Sequence, residues 1–368
     1  MIAAGVLLSG LSGCALIEDL ERRLLAPEPQ PQATTAPDPA APRQAPLPTR
    51  HFEAIAADEE VLGAVQVLFA RHENTLVQLA REHDLGYEEL RLANPGVDVW
   101  LPGEGTPVYL PTMYIVPVAP RDGIVLNLPS MRLLYFADDA VTSHPVGIGR
   151  EGWATPTGRA EITGKARDPV WYPPASVRAE HAELGDPLPS VVPPGPDNPL
   201  GAFAMGLSMP GYLIHGTNKP AGVGMRVSHG CIRLYPEDIA ALFERVLSGT
   251  PVHIVDEPVL AGWRDGELYL EIHVPLAEDA RDLTVEAERV IAAAFERAGV
   301  AAVAIDAELI ARIVSERRGI PFPILSPGPG IDGYLASARI VENTIPAAVA
   351  ETTARDDPAA GEPGAQTP

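Results

Sequence analysis

The chemistry of this chain gathers between His215 and Arg233, a stretch that reads HGTNKPAGVGMRVSHGCIR. Cys231 is one of only two cysteines in the sequence, and His229 and His215 stand two and sixteen residues upstream of it. Gly211, Gly216, Gly222, Gly224 and Gly230 surround them. A thiol with an imidazole in reach is equipped to be a nucleophile. The imidazole takes the thiol proton, and the resulting ion pair lowers the thiol pKa. Glycine lets backbone N–H groups approach an oxyanion closely. Two other readings compete. A lone cysteine often serves as a small buried hydrophobe. A structural zinc site would want four ligands, usually with a second cysteine at short spacing, and the other cysteine is far away at Cys14. No metal and no cofactor is expected.

The order of these residues, His215–Gly216 followed by Ser228-His-Gly-Cys-Ile-Arg233, resembles the signature of the L,D-transpeptidase catalytic domain, also called the YkuD domain. The resemblance covers about residues 121 to 257. It implies Cys231 as nucleophile and His215 as general base and acid, with Ser228, His229 and Gly230 shaping the active-site loop and its oxyanion hole. The His is usually oriented by a backbone carbonyl, for which Gly216 is the candidate. Many family members carry Asn where this chain has Arg233, as a Gram-negative subset does. Arg233 presents a planar, permanently charged fork suited to a substrate carboxylate. Its alternative is an ion pair with Glu237 or Asp238. Arg226 is a second substrate-contact candidate. The implied substrate is peptidoglycan: a tetrapeptide stem is cut between the L-centre of diaminopimelate and D-Ala. The acyl group then passes to another diaminopimelate amine, to a lysine of an envelope protein, or to water. A papain-like or NlpC/P60-like peptidase would place its Cys before its His, the reverse of the order here. A purely binding tether would not need the complete motif.

Such residues need a scaffold, and the elements around them read as mainly β. Gly123–Leu128 and Met131–Phe136 form an expected hairpin, Val141–Ile148 a third strand, Tyr212–Ile214 a strand delivering His215, and Val252–Val255 a closing strand. Thr155-Pro-Thr-Gly158 resembles a turn that the family places beside the active site. Pro236 with Glu237 and Asp238 opens a helix running to about Leu247. Residues 166 to 200, rich in proline, read as a long loop over the cleft.

Two flanking regions are expected. In residues 60–113, a strand at Val65–Phe69 precedes a helix opened by a Thr75/Gln78 capping box and stopped at Gly86. A second helix over Tyr87–Ala93 and a strand near Val108–Leu110 follow. That order resembles a LysM module, a small α+β binder of amino-sugar glycans. Residues 258–335 read as a small α+β region with a strand at Glu267–Val274 and helices over 284–298 and 306–318, followed by Gly299 and Gly319.

Compartment follows from the ends and the charge. With 27 basic and 49 acidic residues the net charge is −22, which excludes nucleic acid as a partner. Residues 1–14 resemble a lipoprotein signal peptide whose Leu-Ser-Gly-Cys14 ends in a lipidated cysteine. This implies a periplasmic, lipid-anchored protein, with the outer membrane favoured. Residues 15–55, with a short helix at 15–25 and eight prolines between 26 and 50, read as an extended linker. Residues 351–368 read as a disordered acidic tail.

Overall fold

The apolar runs of the central region, Ile124-Val-Leu126 among them, are buried residue after residue, so the sheet must be covered on both faces. The computed structural model describes residues 36–53, 59–137, 140–301 and 303–345. Among them, nine strands form the main sheet: β1 (His51–Glu53), β2 (Gly123–Asn127), β3 (Arg132–Ala137), β4 (Ala140–Pro145), β5 (Gly158–Arg167), β6 (Phe203–Leu207), β7 (Leu213–His215), β8 (Ile232–Arg233) and β9 (Pro251–Val255). Their order is β1-β4-β3-β2-β9-β5-β6-β7-β8. Two pairings are parallel, β2 with β9 and β7 with β8. The expected third strand stops at Pro145, and Ile148–Gly149 instead pairs in parallel with Arg226–Ser228.

The small N-terminal unit shows the expected order of strand, helix, helix, strand. Gln66–Phe69 pairs antiparallel with Pro107–Leu110, and helices α1 (Leu76–Glu82) and α2 (Tyr87–Ala93) lie between them in the chain. Thr75 caps α1, accepting the Gln78 N–H at 3.1 Å. Gly86 does not stop this helix. The left-handed turn falls on Asp84, at φ 55°, and Gly86 is the N-cap of α2. It must be glycine for another reason: a Cβ there would stand 2.8 Å from the Cα of Gly224.

In the central region, α3 (Ala175–Glu183) corrects the reading of 166–200 as structureless, and the loop is pinned by a Trp171–Val192 bridge and by Asn198 donating to the Pro169 carbonyl at 2.8 Å. Only Val177 of α3 is buried, so the helix has no apolar stripe for a pattern to reveal. Helix α4 (Pro236–Arg245) starts at its Pro and lays Ile239, Leu242 and Phe243 into the sheet's core with Ile124, Leu126, Ile214 and Ile232.

The C-terminal region adds an unanticipated strand, Val259–Arg264, paired with Glu267–Ile272 across Asp265-Gly266. Both turn residues have positive φ, 53° and 79°, the geometry that Asp-Gly hairpins favour. Helices α5 (Leu283–Ala298), α6 (Ala307–Glu316) and α7 (Gly330–Ala336) cover it. Gly299 ends α5 in the left-handed region, whereas Arg317 takes that role for α6.

The expected boundaries of two regions dissolve in the packing. Val61, Val67, Met113 and Ile115 of the small unit share one core with Leu270, Ile291, Ile324 and Leu335 of the C-terminal region. Arg339–Ile340 then adds a parallel strand beside Gln66–Val67, and Val341 and Ile345 enter the small unit's second core with Leu68, Leu76 and Leu90. The C-terminal part of the expected linker is likewise drawn in. Gln44 bridges to Val341, and β1 pairs with β4. Unpaired backbone beside a sheet edge finds hydrogen-bond partners there. Cys14, the helix read at 15–25 and the tail at 351–368 lie outside the described residues.

Candidate active site

The site is built where β7 and β8 run side by side. Their register pairs Ile214 with Ile232 and His215 with Arg233. One step back, Leu213 faces Cys231, and the Leu213 backbone N–H hydrogen-bonds the thiol. Alternation along a strand puts Leu213 and His215 on one side of β7, and Cys231 and Arg233 on the matching side of β8. Cys231 and His215 are therefore diagonal neighbours across the two strands, within reach of a long side chain. Fifteen residues lie between them in the chain.

His215 is buried. Its Nδ1 lies 2.6 Å from the Gly216 carbonyl oxygen. A carbonyl can only accept, so Nδ1 carries the hydrogen and Nε2 keeps its lone pair. Burial, with the nearby Arg233 guanidinium, pushes the imidazole pKa down to about 4, against support from the Gly216 and Leu200 carbonyls. Burial also pushes the Cys231 thiol up, against the Leu213 N–H and Arg233, which hold it down. Without substrate, burial thus favours the neutral forms of both partners over the expected thiolate–imidazolium pair. The reason is shared desolvation, which penalises both charged forms at once. The Cys231 Sγ also lies 3.8 Å from the Gly211 carbonyl oxygen.

The loop before Cys231 is tightly specified. Ser228 Oγ donates to the Cys231 carbonyl at 2.6 Å and accepts the Gly230 N–H at 3.1 Å. Thr155 donates to the Gly230 carbonyl at 2.9 Å and accepts the Gly149 N–H at 3.0 Å, which places the Thr155–Gly158 turn against the site. Gly230 has φ 101°, and a Cβ there would meet the Tyr212 ring at 2.8 Å. Because the Gly230 N–H is engaged by Ser228, it is not a free oxyanion donor; its role is the bend.

His229 faces away from the thiol. Its Nε2 is 2.7 Å from Glu180 on α3 and 3.3 Å from Arg150, and its ring stands edge-on to Trp153 with centroids 4.8 Å apart. Arg150 also pairs with Glu180, and the hydrogen bonds from Arg150 and His229 hold the Glu180 carboxyl below its usual range. Glu180, Arg150 and Trp153 were invisible to sequence reasoning, since their partner is a single histidine in a distant loop.

Arg233 makes no ion pair among the described residues, and its buried Nε has no hydrogen-bond partner. Burial lowers its pKa. The expected alternatives are taken: Glu237 binds Arg81 at 2.8 Å, and Asp238 binds Arg50 at 2.9 Å and His144 at 3.1 Å. Arg226 differs. Its guanidinium donates to Glu278 at 2.9 and 3.1 Å and to the Gly149 carbonyl at 3.2 Å, so a substrate carboxylate would have to displace Glu278. Arg226 belongs to the scaffold.

The model of the L,D-transpeptidase catalytic domain, YkuD, matches residues 121–254. The chain is 44% identical over 223 residues to the protein named "Probable L,D-transpeptidase YbiS" of Escherichia coli (strain K12), covering 59% of this chain and 72% of that protein. The chain belongs to the L,D-transpeptidase family. It is also similar to "Probable L,D-transpeptidase YcfS" of the same strain, at 38% identity over 68% of this chain and 80% of that one. With "Probable L,D-transpeptidase ErfK/SrfK" of Salmonella typhimurium the identity is 37%, over 70% and 84% of the two chains. In this transpeptidase the matched segment contains all of β2 to β8 and the whole Cys231–His215–Arg233 grouping.

Proposed function

We propose that this transpeptidase acts on peptidoglycan stems through an acyl-enzyme at Cys231. The observation that carries the reading is the grouping of the buried His215, the Cys231 thiol and Arg233, which makes no ion pair among the described residues, where two parallel strands run side by side. The buried Nε of Arg233 lacks a hydrogen-bond partner, a polar atom kept from water at a cost, and a stem carboxylate supplies that partner. Burial is the main cause of the low His215 pKa and the Arg233 field the second; the arriving carboxylate neutralises the second. His215 Nε2 then takes the thiol proton as Cys231 Sγ attacks the carbonyl carbon between the L-centre of diaminopimelate and D-Ala. The C–N bond breaks, the His215 proton leaves with the D-Ala amine, and a thioester remains. An acceptor amine attacks the thioester and returns the thiol. That amine belongs to another diaminopimelate, giving a 3-3 cross-link, or to a lysine of an envelope protein. The oxyanion falls to the backbone N–H of Cys231, since the Gly230 N–H is engaged.

Water as acceptor would make the enzyme a carboxypeptidase, and loss of turnover altogether would leave a wall-binding tether. Incubation of purified protein with tetrapeptide muropeptides, read by mass spectrometry, separates these outcomes. Cross-linked dimers are expected; trimmed monomers would indicate hydrolysis, and unchanged substrate would overturn the enzymatic reading. The LysM-like order of the small unit supports contact with glycan strands. Lipidation of Cys14, with anchoring in the periplasm at the outer membrane, is read by loss of membrane association in Cys14→Ser.

A further inference from the structure

Helix α3 has little apolar packing to keep it in place, since only Val177 of its nine residues is buried. The segment that carries it is fixed near its ends. Trp171 bridges to Val192, and Asn198 donates to the Pro169 carbonyl and accepts the Leu200 N–H. Between those points, among the described residues, the side-chain hydrogen bonds from α3 to the catalytic loop all come from Glu180.

What Glu180 holds is the frame of the bend before Cys231. One carboxylate oxygen lies 2.7 Å from His229 Nε2, and the other pairs with the Arg150 guanidinium. Arg150 and His229 directly follow the two short strands that pair in parallel, Ile148–Gly149 and Arg226–Ser228. The Arg150 N–H donates to the Ser228 carbonyl at 3.1 Å, and the Trp153 N–H donates to the Arg150 carbonyl at 2.9 Å. A Cβ on Gly230 would stand 3.5 Å from the Trp153 carbonyl oxygen, so the bend rests on the same turn. His181 is the other titratable neighbour. Its ring lies 6.0 Å from that of His229 and faces Asp186 at 3.6 Å, which leaves Glu180 as the carboxylate that serves His229.

These side chains are partly open to solvent, Glu180 and His229 each at 27%, and pairs so exposed add little to global stability. Their leverage is on position. A single residue, Gly230, joins His229 to Cys231, and its φ of 101° is held against the Tyr212 ring. Movement of the His229 backbone is therefore passed to a sulfur that sits between the Leu213 N–H and the Gly211 carbonyl. A displacement of about 1 Å at a reacting atom can cost about a hundredfold in rate.

We propose that Glu180 is a positioning residue of this transpeptidase: through His229 and Arg150 it sets the bend that aims Cys231, so the seating of α3 governs the reactivity of the thiol. The proposal rests on the reading of Cys231 as nucleophile for its effect on turnover, and not for the coupling itself.

Four variants test it. Glu180→Ala removes the tie, and Glu183→Ala removes the same charge from an exposed position of the same helix. His229→Ala and the Glu180→Ala/His229→Ala double variant complete a cycle. Turnover of tetrapeptide muropeptides is measured beside the rate at which iodoacetamide alkylates Cys231, read on its own peptide by mass spectrometry. Glu180→Ala is expected to lower kcat about tenfold, with KM within about twofold of wild type. Alkylation should become about threefold faster, because a loosened bend brings the thiol out of the burial that holds its pKa up. The melting temperature should stay within about 2 °C of wild type. Glu183→Ala should match the wild type in both readouts. The double variant should fall no further than Glu180→Ala alone, since both changes break one link. An unchanged kcat in Glu180→Ala overturns the proposal, as does alkylation no faster than in the wild type. Equal effects in Glu183→Ala, or losses that multiply in the double variant, overturn it as well. If the alkylation rates behave as expected and the wild type turns over no muropeptide, the proposed reaction fails while the coupling stands.

Discussion

The catalytic strands and the flanking core solve opposite assembly problems. The reactive groups lie within one short stretch, and two hydrogen-bonded strands bring them together. The flanking core joins segments more than 150 residues apart: Glu271 accepts the Ile115 N–H at 2.7 Å, and Val67 accepts the Val341 N–H at 2.8 Å. Local sequence can specify the first arrangement. The second depends on tertiary burial, and it holds the small unit whose α2 caps the catalytic loop. The active-site loop is held from both: the Val223 and Gly224 carbonyls accept the Tyr87 and Glu88 N–H groups of α2, and Ser228 and Thr155 fix the bend before Cys231.

The contrast breaks most sharply at the site itself. Cys231→Ser is expected to remove measurable turnover, because a hydroxyl is far less acidic than a thiol and the neutral His215 is a weak driver of its ionisation. His215→Ala should lower kcat by about 10²–10⁴-fold. Both variants should melt like the wild type; retained cross-linking in Cys231→Ser would overturn the assignment.

The flanking core is probed by Leu270→Ala, a fully buried residue of the shared cluster. A loss of about 2–5 kcal/mol is expected, read by chemical denaturation. If the small unit and the C-terminal region are one core, fluorescence and circular dichroism will report a single shifted transition for both. Two separate transitions would show that they fold independently.

Acid acts on both regions. His215 and His83, one in each, are held down to about 4 by burial, against an ordinary value of 6.5. The unfolded chain therefore takes up these protons first. Stability from each is whole above about pH 6.5 and drains as pH falls towards 4, by about 3 kcal/mol per histidine. The acid limb of kcat/KM should accordingly fall near pH 4 rather than 6.5, because neutral His215 is the working base. A limb near 6.5 would show that His215 is not buried in solution. The thiol shift runs the other way: iodoacetamide should label Cys231 more slowly than a free cysteine at neutral pH, faster as pH rises.

The smallest effect is expected at Arg233. Arg233→Lys keeps the charge but loses the fork, and about a tenfold rise in KM for tetrapeptide stems is expected with kcat little changed. An equal effect on amidated stems lacking the free carboxylate would remove Arg233 from substrate binding.

Much was legible from residue order alone. Cys231, His215 and the glycine-bent loop could be named because their types and spacing are rare together, and β2, β3, β7 and α4 because apolar periodicity and Pro236 mark them. The capping box at Thr75 marked α1 for the same reason: its bond spans three residues. Tertiary structure alone decided the rest. It freed Arg233 by giving Glu237 and Asp238 to Arg81 and Arg50, engaged Arg226 with Glu278, and turned His229 towards Glu180 on a helix with one buried side chain. It also set the protonation of the catalytic pair, since desolvation depends on what covers a group, and the cover comes from everywhere in the chain.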